Sequence, residues 1–229
     1  MERRPHVDRH YDDELRELQH KLLEMGGFVE KQIADAIRAL VTRDSEAARL
    51  TIERDKTVNR MDVEIDDLCL RLLALHQPAG RDLRLITTAL KITTDLERAG
   101  DNAENICERS LELNTEPQLK PYIDIPRMAE IALAMLRDSL NAFVREDVDL
   151  ALRVCAEDDK VDQLNDQIFR ELISFMMEDP RAITRAMRLT FVAKYLERIA
   201  DHATNIAEMV IFMVKGQSIR HLDRLPSSL

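Results

Sequence analysis

The sequence has no tryptophan, five glycines and seven prolines among 229 residues, and only 4% of its residues are aromatic. So few glycines and prolines leave few places for tight turns, which argues against a sheet protein built from many short strands. Long helices need few turns, and 45% apolar with 33% charged residues is typical of packed helices. We therefore expect an all-α fold.

Cysteine is also scarce, and Cys69, Cys107 and Cys155 lack the paired spacings of zinc or redox sites. We expect them to be buried thiols in a reducing compartment. The N-terminus carries no apolar run of the signal-peptide kind, and the longest apolar run, residues 209–214, is far too short to cross a bilayer. These features predict a soluble cytoplasmic protein.

Positive charge is in deficit, with 33 Lys and Arg against 43 Asp and Glu and a net charge of −10. Nucleic-acid phosphates and anionic lipids both require clustered basic residues. We therefore expect no nucleic-acid partner and no direct membrane contact. Acidic patches are better suited to metal ions or to basic partner surfaces.

One segment of eleven residues occurs twice, at residues 96–106 and again one hundred positions later at residues 196–206. Seven of the eleven residues are identical in the two copies. A repeat with this period divides the chain into two similar halves of about one hundred residues, each large enough for its own core.

Apolar residues recur at three- and four-residue steps, which is the pattern of amphipathic helices, and Gly26-Gly27 is a candidate bend. We predict helices over residues 7–43, 45–76, 82–113, 126–145, 147–178 and 181–215. Prolines at 117, 121 and 126 indicate a linker between the halves. The predicted architecture is two tandem three-helix bundles at 1–115 and 126–215, a linker at 116–125 and an irregular tail at 216–229.

Each copy of the repeat carries a Glu and an Asp four positions apart, which places both carboxylates on one helix face, where they repel. If the last two helices of each half form a hairpin, each pair faces a polar stripe on the preceding helix. Pairing residues by height gives these opposite partners: Glu97 and Asp62, Asp101 and Asn59, Asn105 and Asp55, Glu197 and Asp166, Asp201 and Asp162, and Asn205 and Asp158.

These twelve residues are the candidate metal ligands. Carboxylates gathered in a groove resist ionising together, and a bound cation resolves their repulsion. Oxygen ligands favour Mg, Ca, Mn or Fe over Zn. The competing interpretation is a pair of polar grooves that hold water and counterions.

A ferritin-like di-metal oxidase or metal-storage protein is an alternative function. It requires two Glu-x-x-His motifs per bundle, and the chain has one candidate, Glu17 to His20, with no counterpart in the second half. No nucleophile elbow, glycine-rich phosphate loop or dinucleotide fingerprint is present, so no catalytic residue is assigned.

The paired segments occur with Gln77-Pro78, Asp82-Leu83-Arg84, Glu178-Asp179-Pro180-Arg181 and Val214-Lys215-Gly216-Gln217. Together they resemble the PhoU family of bacterial phosphate-signalling regulators over essentially the whole chain. The resemblance implies two three-helix bundles, frequent dimers, and Glu/Asp-x-x-x-Asp motifs that bind multinuclear clusters of iron or another metal. The ion is left open among Fe, Mn, Mg and Zn.

The resemblance also implies a role without catalysis. Such proteins couple the ATPase of the phosphate transporter to a membrane sensor histidine kinase, and they help repress the phosphate regulon when phosphate is plentiful. Glu97 with Asp101 and Glu197 with Asp201 match the family motif. Asn59 and Val63 stand where the second half has Asp162 and Asp166, so we expect the two sites to differ in affinity or nuclearity.

Overall fold

The computed structural model describes residues 6–216, and side-chain environments from residue 10 onward. This part of the chain is helical and contains no β-strand. A 3₁₀ turn, Pro180–Ala182, precedes the last helix. The helices are α1 His6–Thr42, α2 Ser45–His76, α3 Gly80–Asn114, α4 Asp124–Arg145, α5 Val148–Glu178 and α6 Ile183–Lys215. Every end lies within two residues of its predicted position, which confirms the all-α prediction; the predicted tail beyond Gly216 lies outside the described residues.

Aspartate side chains cap the first turns of α2 and α5. The Asp44 carboxylate accepts hydrogen bonds of 3.0 Å from the backbone N–H groups of Glu46 and Ala47 at the start of α2. Asp147 accepts one of 2.9 Å from the N–H of Leu150 at the start of α5. These aspartates satisfy backbone donors that have no partner inside a first helical turn.

Each half forms a three-helix bundle, and the two bundles pack on each other through α3 against α6 and α1 against α4. The buried apolar side chains form one continuous cluster that includes residues of all six helices. The separate cores expected from the sequence are therefore joined, because α3 and α6 each bury apolar residues toward both bundles.

Gly26 and Gly27 do not interrupt α1. Gly26 lies at the contact with α4, where an added Cβ would be 2.2 Å from Leu140 Cδ1. Gly27 has open space around its Cα. Gly26 therefore permits close packing between the halves.

Cys69 and Cys107 are buried, and Cys155 is half-buried. Desolvation is the main cause that raises the pKa of each thiol to about 12, so all three are unreactive thiols near neutral pH. No helix within residues 6–216 combines the length and the apolar character needed to cross a bilayer.

Candidate metal centres

The first acidic cluster lies between α2 and α3. Carboxylate oxygens of Asp55, Asp101 and Glu104 all lie within 4.8 Å of one another. Gly100 permits this approach, because an added Cβ there would lie 3.3 Å from Asp55 Oδ1. Asp101 and Glu104 are three residues apart on α3, so both point to the same side of that helix.

Asp55 is the buried member, with 4% of its surface exposed. Its Oδ1 accepts a 3.0 Å hydrogen bond from Gln32 Nε2 on α1, and its Oδ2 accepts one of 2.9 Å from Asn59 Nδ2. Two amide donors thus hold the carboxylate in place while its neighbours are acidic. Such outer hydrogen bonds orient the ligands of protein metal sites.

Repulsion between like charges contributes to the raised pKa values of the carboxyl groups in this cluster. Desolvation, followed by the negative charges of Asp101, Asp62 and Asp55, raises the pKa of Glu97. Desolvation and Asp55 raise the pKa of Asp101, and the same two causes lead those that raise the pKa of Glu104. A cation placed among these oxygens would relieve the repulsion.

The second acidic cluster lies between α5 and α6. Desolvation, then the charges of Asp201 and Asp162, raise the pKa of Asp158 to about 6. Desolvation and then the charge of Glu197 raise the pKa of both Asp162 and Asp201. The second half therefore also holds carboxylates close enough together to repel one another.

A lysine distinguishes the second cluster from the first. Lys194 Nζ donates a hydrogen bond of 2.6 Å to Glu197 Oε1. Its positive charge partly offsets the causes that raise the pKa of Asp162 and Asp201. The equivalent of Lys194 in the first half is Thr94, and the equivalent of Glu104 in the second half is Thr204. Within residues 6–216, Asp55, Asp101 and Glu104 are the one set of three or more His, Cys, Asp or Glu ligand atoms that converges this closely.

The pairing by height agrees with two of the interactions, since the charge of Asp62 raises the pKa of Glu97 and that of Asp162 raises the pKa of Asp201. Asp55 instead approaches Asp101 and Glu104, and Asp158 interacts with Asp201. The reason in the first half is that α3 begins at Gly80, two residues before its predicted start. In the second half, Asp179 alone separates α5 from the 3₁₀ turn that leads into α6, which shortens the hairpin.

Both asparagines form hydrogen bonds outside their predicted pairs. Asn105 Nδ2 donates to the backbone carbonyl of Asp101 at 2.8 Å. Asn205 Nδ2 donates to Asp95 Oδ1 on α3 at 3.2 Å, and His202 Nδ1 lies 2.8 Å from the same oxygen. Asp95 therefore links the two halves rather than binding within one groove.

The remaining predicted residues lie at the edges of the clusters. Asp62 raises the pKa of Glu97, as the height pairing requires, and Asp166 raises the pKa of Asp162. Glu17 and His20, the candidate ferritin-like pair, are exposed on α1 and do not belong to the Asp55 cluster.

A polar pocket of about 460 Å³ lies between α3 and α6. It contains Asp101 of the first cluster and Asp201 of the second. Its lining consists of four pairs of residues related by the repeat: Arg98 and Arg198, Asp101 and Asp201, Asn102 and His202, and Asn105 and Asn205.

Known proteins resemble the chain over nearly its whole length. The PhoU domain family model matches residues 22–110 and 125–210. The chain is 43% identical over 218 residues to the phosphate-specific transport system accessory protein PhoU homolog of Pseudomonas putida, covering 95% of this chain and 85% of that protein. It is 40% identical over 217 residues to the phosphate-specific transport system accessory protein PhoU of Escherichia coli K12, covering 95% and 90% respectively.

A solved structure shares the fold. The crystal structure of PhoU from Pseudomonas aeruginosa superposes with a TM-score of 0.87 at 43% sequence identity, covering 90% of this chain and 100% of that one. The similarity therefore extends over both bundles and both acidic clusters.

Proposed function

The chain belongs to the PhoU family, and from that premise we propose that it is a metal-binding regulator of phosphate signalling. It is an accessory protein of phosphate transport, as its relatives are named, and not an enzyme. In this proposal it works in the cytoplasm, where it couples the transporter ATPase to a sensor histidine kinase and represses the phosphate regulon when phosphate is plentiful.

The observation that carries the metal part is the convergence of Asp55, Asp101 and Glu104. Asp101 and Glu104 are on α3 and Asp55 is on α2, so one ion bound by all three would tie the two helices together. Hard cations such as Mn²⁺, Mg²⁺ or ferrous iron suit three carboxylates. When bound, the ion supplies positive charge that offsets the repulsion; we assign it no catalytic step.

The arrangement also offers a route by which one site affects the other. Asp101 and Asp201 belong to different clusters and line the same pocket. The contact of Asp95 with His202 and Asn205 connects α3 to α6 beside that pocket. Binding in one half therefore changes the charge that the other half experiences, which is the requirement for coupling between sites.

Metal content is the first test. The protein is purified without chelator, and its metals are measured by inductively coupled plasma mass spectrometry beside Glu97→Ala/Asp101→Ala and Glu197→Ala/Asp201→Ala. We expect stoichiometric metal in the wild type, and we expect each double variant to lose the metal of the half that carries the substitutions. Metal-free wild type that also fails to bind added Mn²⁺ or ferrous iron would contradict the metal role.

Partner binding is the second test. The transporter ATPase and the cytoplasmic part of the sensor kinase are each titrated into the protein by biolayer interferometry, with Mn²⁺ and again with chelator. We expect both to bind, and metal to change at least one affinity. In cells, the Glu97→Ala/Asp101→Ala protein should fail to restore repression of a phosphate-regulon reporter in a deletion strain. Absence of binding to both partners would contradict the coupling role.

A further inference from the structure

The hairpin of α5 and α6 exposes six large apolar side chains. On α5 these are Phe169, Ile173 and Met177, with exposed fractions of 46%, 36% and 81%. On α6 they are Ile183, Met187 and Phe191, with exposed fractions of 46%, 40% and 45%. Each set of three is spaced by four residues, so each forms one stripe along its helix.

The register of the hairpin places the two stripes side by side. Asp179 alone separates α5 from the 3₁₀ turn Pro180–Ala182, and the backbone N–H of Ala182 donates to the carbonyl of Asp179 at 2.8 Å, so the chain reverses direction at about residues 179 and 180. Residues equally far before and after this turn lie level, which places the apolar residues in three rungs. We call this set the apolar ladder: Phe169 with Phe191, Ile173 with Met187, and Met177 with Ile183.

The ladder is large for an exposed surface. Phenylalanine side chains bury about 150–250 Å² each when they are fully covered, and Ile and Met bury somewhat less, so six that are about half exposed leave roughly 500 Å² of apolar surface in contact with water. Contiguous patches of about 300–600 Å² are the largest on typical monomers and are often functional.

The first half shows that the fold does not require this surface. The α2–α3 hairpin has the same architecture, yet at the equivalent positions three of its six residues are polar. Those positions hold Asp66, Leu70, Ala74, Leu83, Thr87 and Lys91. The α2–α3 hairpin still exposes Leu70 and Leu83 at two of these positions, but Asp66, Thr87 and Lys91 interrupt the row, so a continuous apolar ladder is not a requirement of the fold.

The ladder runs directly into the second acidic cluster. Asp166 and Asp162 continue the α5 stripe, at three and seven residues before Phe169. On α6, Lys194 follows Phe191 by three residues and pairs with Glu197, so α5 contributes most of the acidic charge at this end. The hairpin face is thus apolar for about three turns at one end and acidic at the other. A complementary surface has apolar side chains followed by basic ones.

We propose that the apolar ladder and the adjoining acidic cluster dock an amphipathic helix of a partner protein. The partner helix lies along the groove with its apolar side chains on the ladder and its basic end against the exposed carboxylate of Asp166, at the edge of the second acidic cluster. Helices bind in this way when an apolar face fills a groove and flanking charges set the direction. The inference rests on the proposed adaptor role for the existence of a partner, and on the hairpin surface for its chemistry.

The charge pattern decides against two other occupants. In a symmetric dimer through this surface, a second copy of the chain presents the same ladder next to the same acidic cluster, so it brings no basic end to the groove. An anionic membrane would meet carboxylates beside the ladder and be repelled. A helix with a basic end satisfies both zones.

The test uses the full chain and a synthetic probe. The probe is an 18-residue helical peptide with Leu on one face over three turns and four Lys at one end; a second peptide carries four Glu in place of Lys. Binding is measured by fluorescence anisotropy to the wild type, to Ile173→Glu/Met187→Glu, and to the matched control Leu70→Glu/Thr87→Glu at the equivalent positions of the first half. Circular dichroism verifies that each variant is folded.

We expect the wild type and the control to bind the Lys peptide equally, and the ladder variant to bind it at least about 10-fold more weakly, equivalent to about 1.4 kcal/mol. The two added glutamates increase attraction for lysine, so this loss would come from the apolar contact. The Glu peptide should bind the wild type at least about 10-fold more weakly than the Lys peptide, which is again a difference of about 1.4 kcal/mol in binding free energy.

Equal binding of the Lys peptide by the ladder variant and the control would overturn the proposal, as would equal binding of the two peptides by the wild type. Two further outcomes would also overturn it. One is that light scattering without peptide finds dimers of the wild type and of the control but only monomers of the ladder variant. The other is that phosphatidylserine vesicles bind the wild type and the control but not the ladder variant. The adaptor role fails separately, through loss of binding to the transporter ATPase and sensor kinase.

Discussion

In the first half, Asp55, Asp101 and Glu104 bring three carboxylates together with no lysine among them, whereas in the second half Lys194 pairs with Glu197 and a threonine replaces the third acid. The scaffold and the Glu-x-x-x-Asp motif are the same in both. In our proposal the two halves differ in the source of the compensating positive charge. The first groove depends on an external cation, whereas the second already contains the charge of Lys194.

The comparison teaches that a repeated motif does not guarantee a repeated site. Both motifs place Glu and Asp on one helix face, but affinity depends on the residues that vary between the copies. We therefore expect the first half to bind metal more tightly and the second half to bind it more weakly and with a stronger dependence on pH.

The largest effect is expected from removing a shared acid of the first cluster. Asp101→Asn should weaken Mn²⁺ binding at the tighter site by at least about 100-fold, since changes in outer hydrogen-bond partners alone cost about 10–100-fold. Isothermal titration calorimetry of chelator-stripped protein measures it. Asp201→Asn is the matched control and should leave the tighter site unchanged; equal losses in both variants would mean that the halves do not differ.

Exchanging the residues at positions 104 and 204 should make the metal affinities of the two halves more alike. Glu104→Thr should weaken the first site by about 10-fold or more, and Thr204→Glu should strengthen the second by a similar factor, because each changes one ligand carboxylate. The same calorimetry on the two single variants and on the double exchange measures the effect. The difference between halves should shrink in the double variant, and an unchanged ratio of the two affinities would contradict the assignment of Glu104.

Exchanging the lysine should have a smaller effect. Lys194 is about half exposed, at 47%, so its charge is screened. We expect Lys194→Thr to strengthen metal binding in the second half by roughly 5-fold, and Thr94→Lys to weaken it in the first half by a similar factor, about 1 kcal/mol each. Competition between Mn²⁺ and a fluorescent chelator reports both. A weaker second site in Lys194→Thr would show that the lysine supports the site.

The stability of the metal-free protein should depend on pH through Asp158. Its folded pKa is about 6 against an ordinary value of 3.8, so between these pH values the folded protein retains a proton that the unfolded chain releases. The contribution of Asp158 to the free energy of unfolding is therefore highest below about pH 4, and it falls as the pH rises to about 6. Urea unfolding at pH 5 and pH 7 with chelator should show the fall, and Asp158→Asn should reduce it.

The smallest effect is expected at Gly100, whose equivalent is Ala200. Gly100→Ala places a Cβ 3.3 Å from Asp55 Oδ1 and 3.4 Å from Gln32 Oε1, so the buried carboxylate has to shift slightly. We expect an affinity loss of about 2-fold at the first site, because ligand orientation is part of the affinity. Gly27→Ala, which has open space, is the control; it should stabilise α1 by about 1 kcal/mol without changing metal affinity.

The sequence was sufficient for most of the fold. Asp44 and Asp147 are capping residues at predicted helix starts, and apolar periodicity gave every helix end to within two residues. The joining of the two cores was not predictable in this way. Periodicity shows that a helix face is apolar but not which neighbour covers it, and α3 and α6 contact both bundles.

The candidate site was only partly predictable. The repeat identified Glu97, Asp101, Glu197 and Asp201, because identity between copies marks them. The same comparison concealed Glu104 and Lys194, which differ between copies, although Glu104 lies three residues after Asp101 on the same face. The register error at Asn105 and Asn205 arose because a hairpin's pairing depends on where its second helix starts, and two residues are enough to change the partners.

Anomalous diffraction from crystals grown with Mn²⁺ tests the central claim most directly, because it locates the ion without assuming its ligands. The account predicts that the strongest peak lies among Asp55, Asp101 and Glu104, at about 2.0–2.6 Å from their oxygens, with a weaker peak or none between Asp158 and Asp201. A strongest peak in the second half, or one outside both clusters, would contradict it.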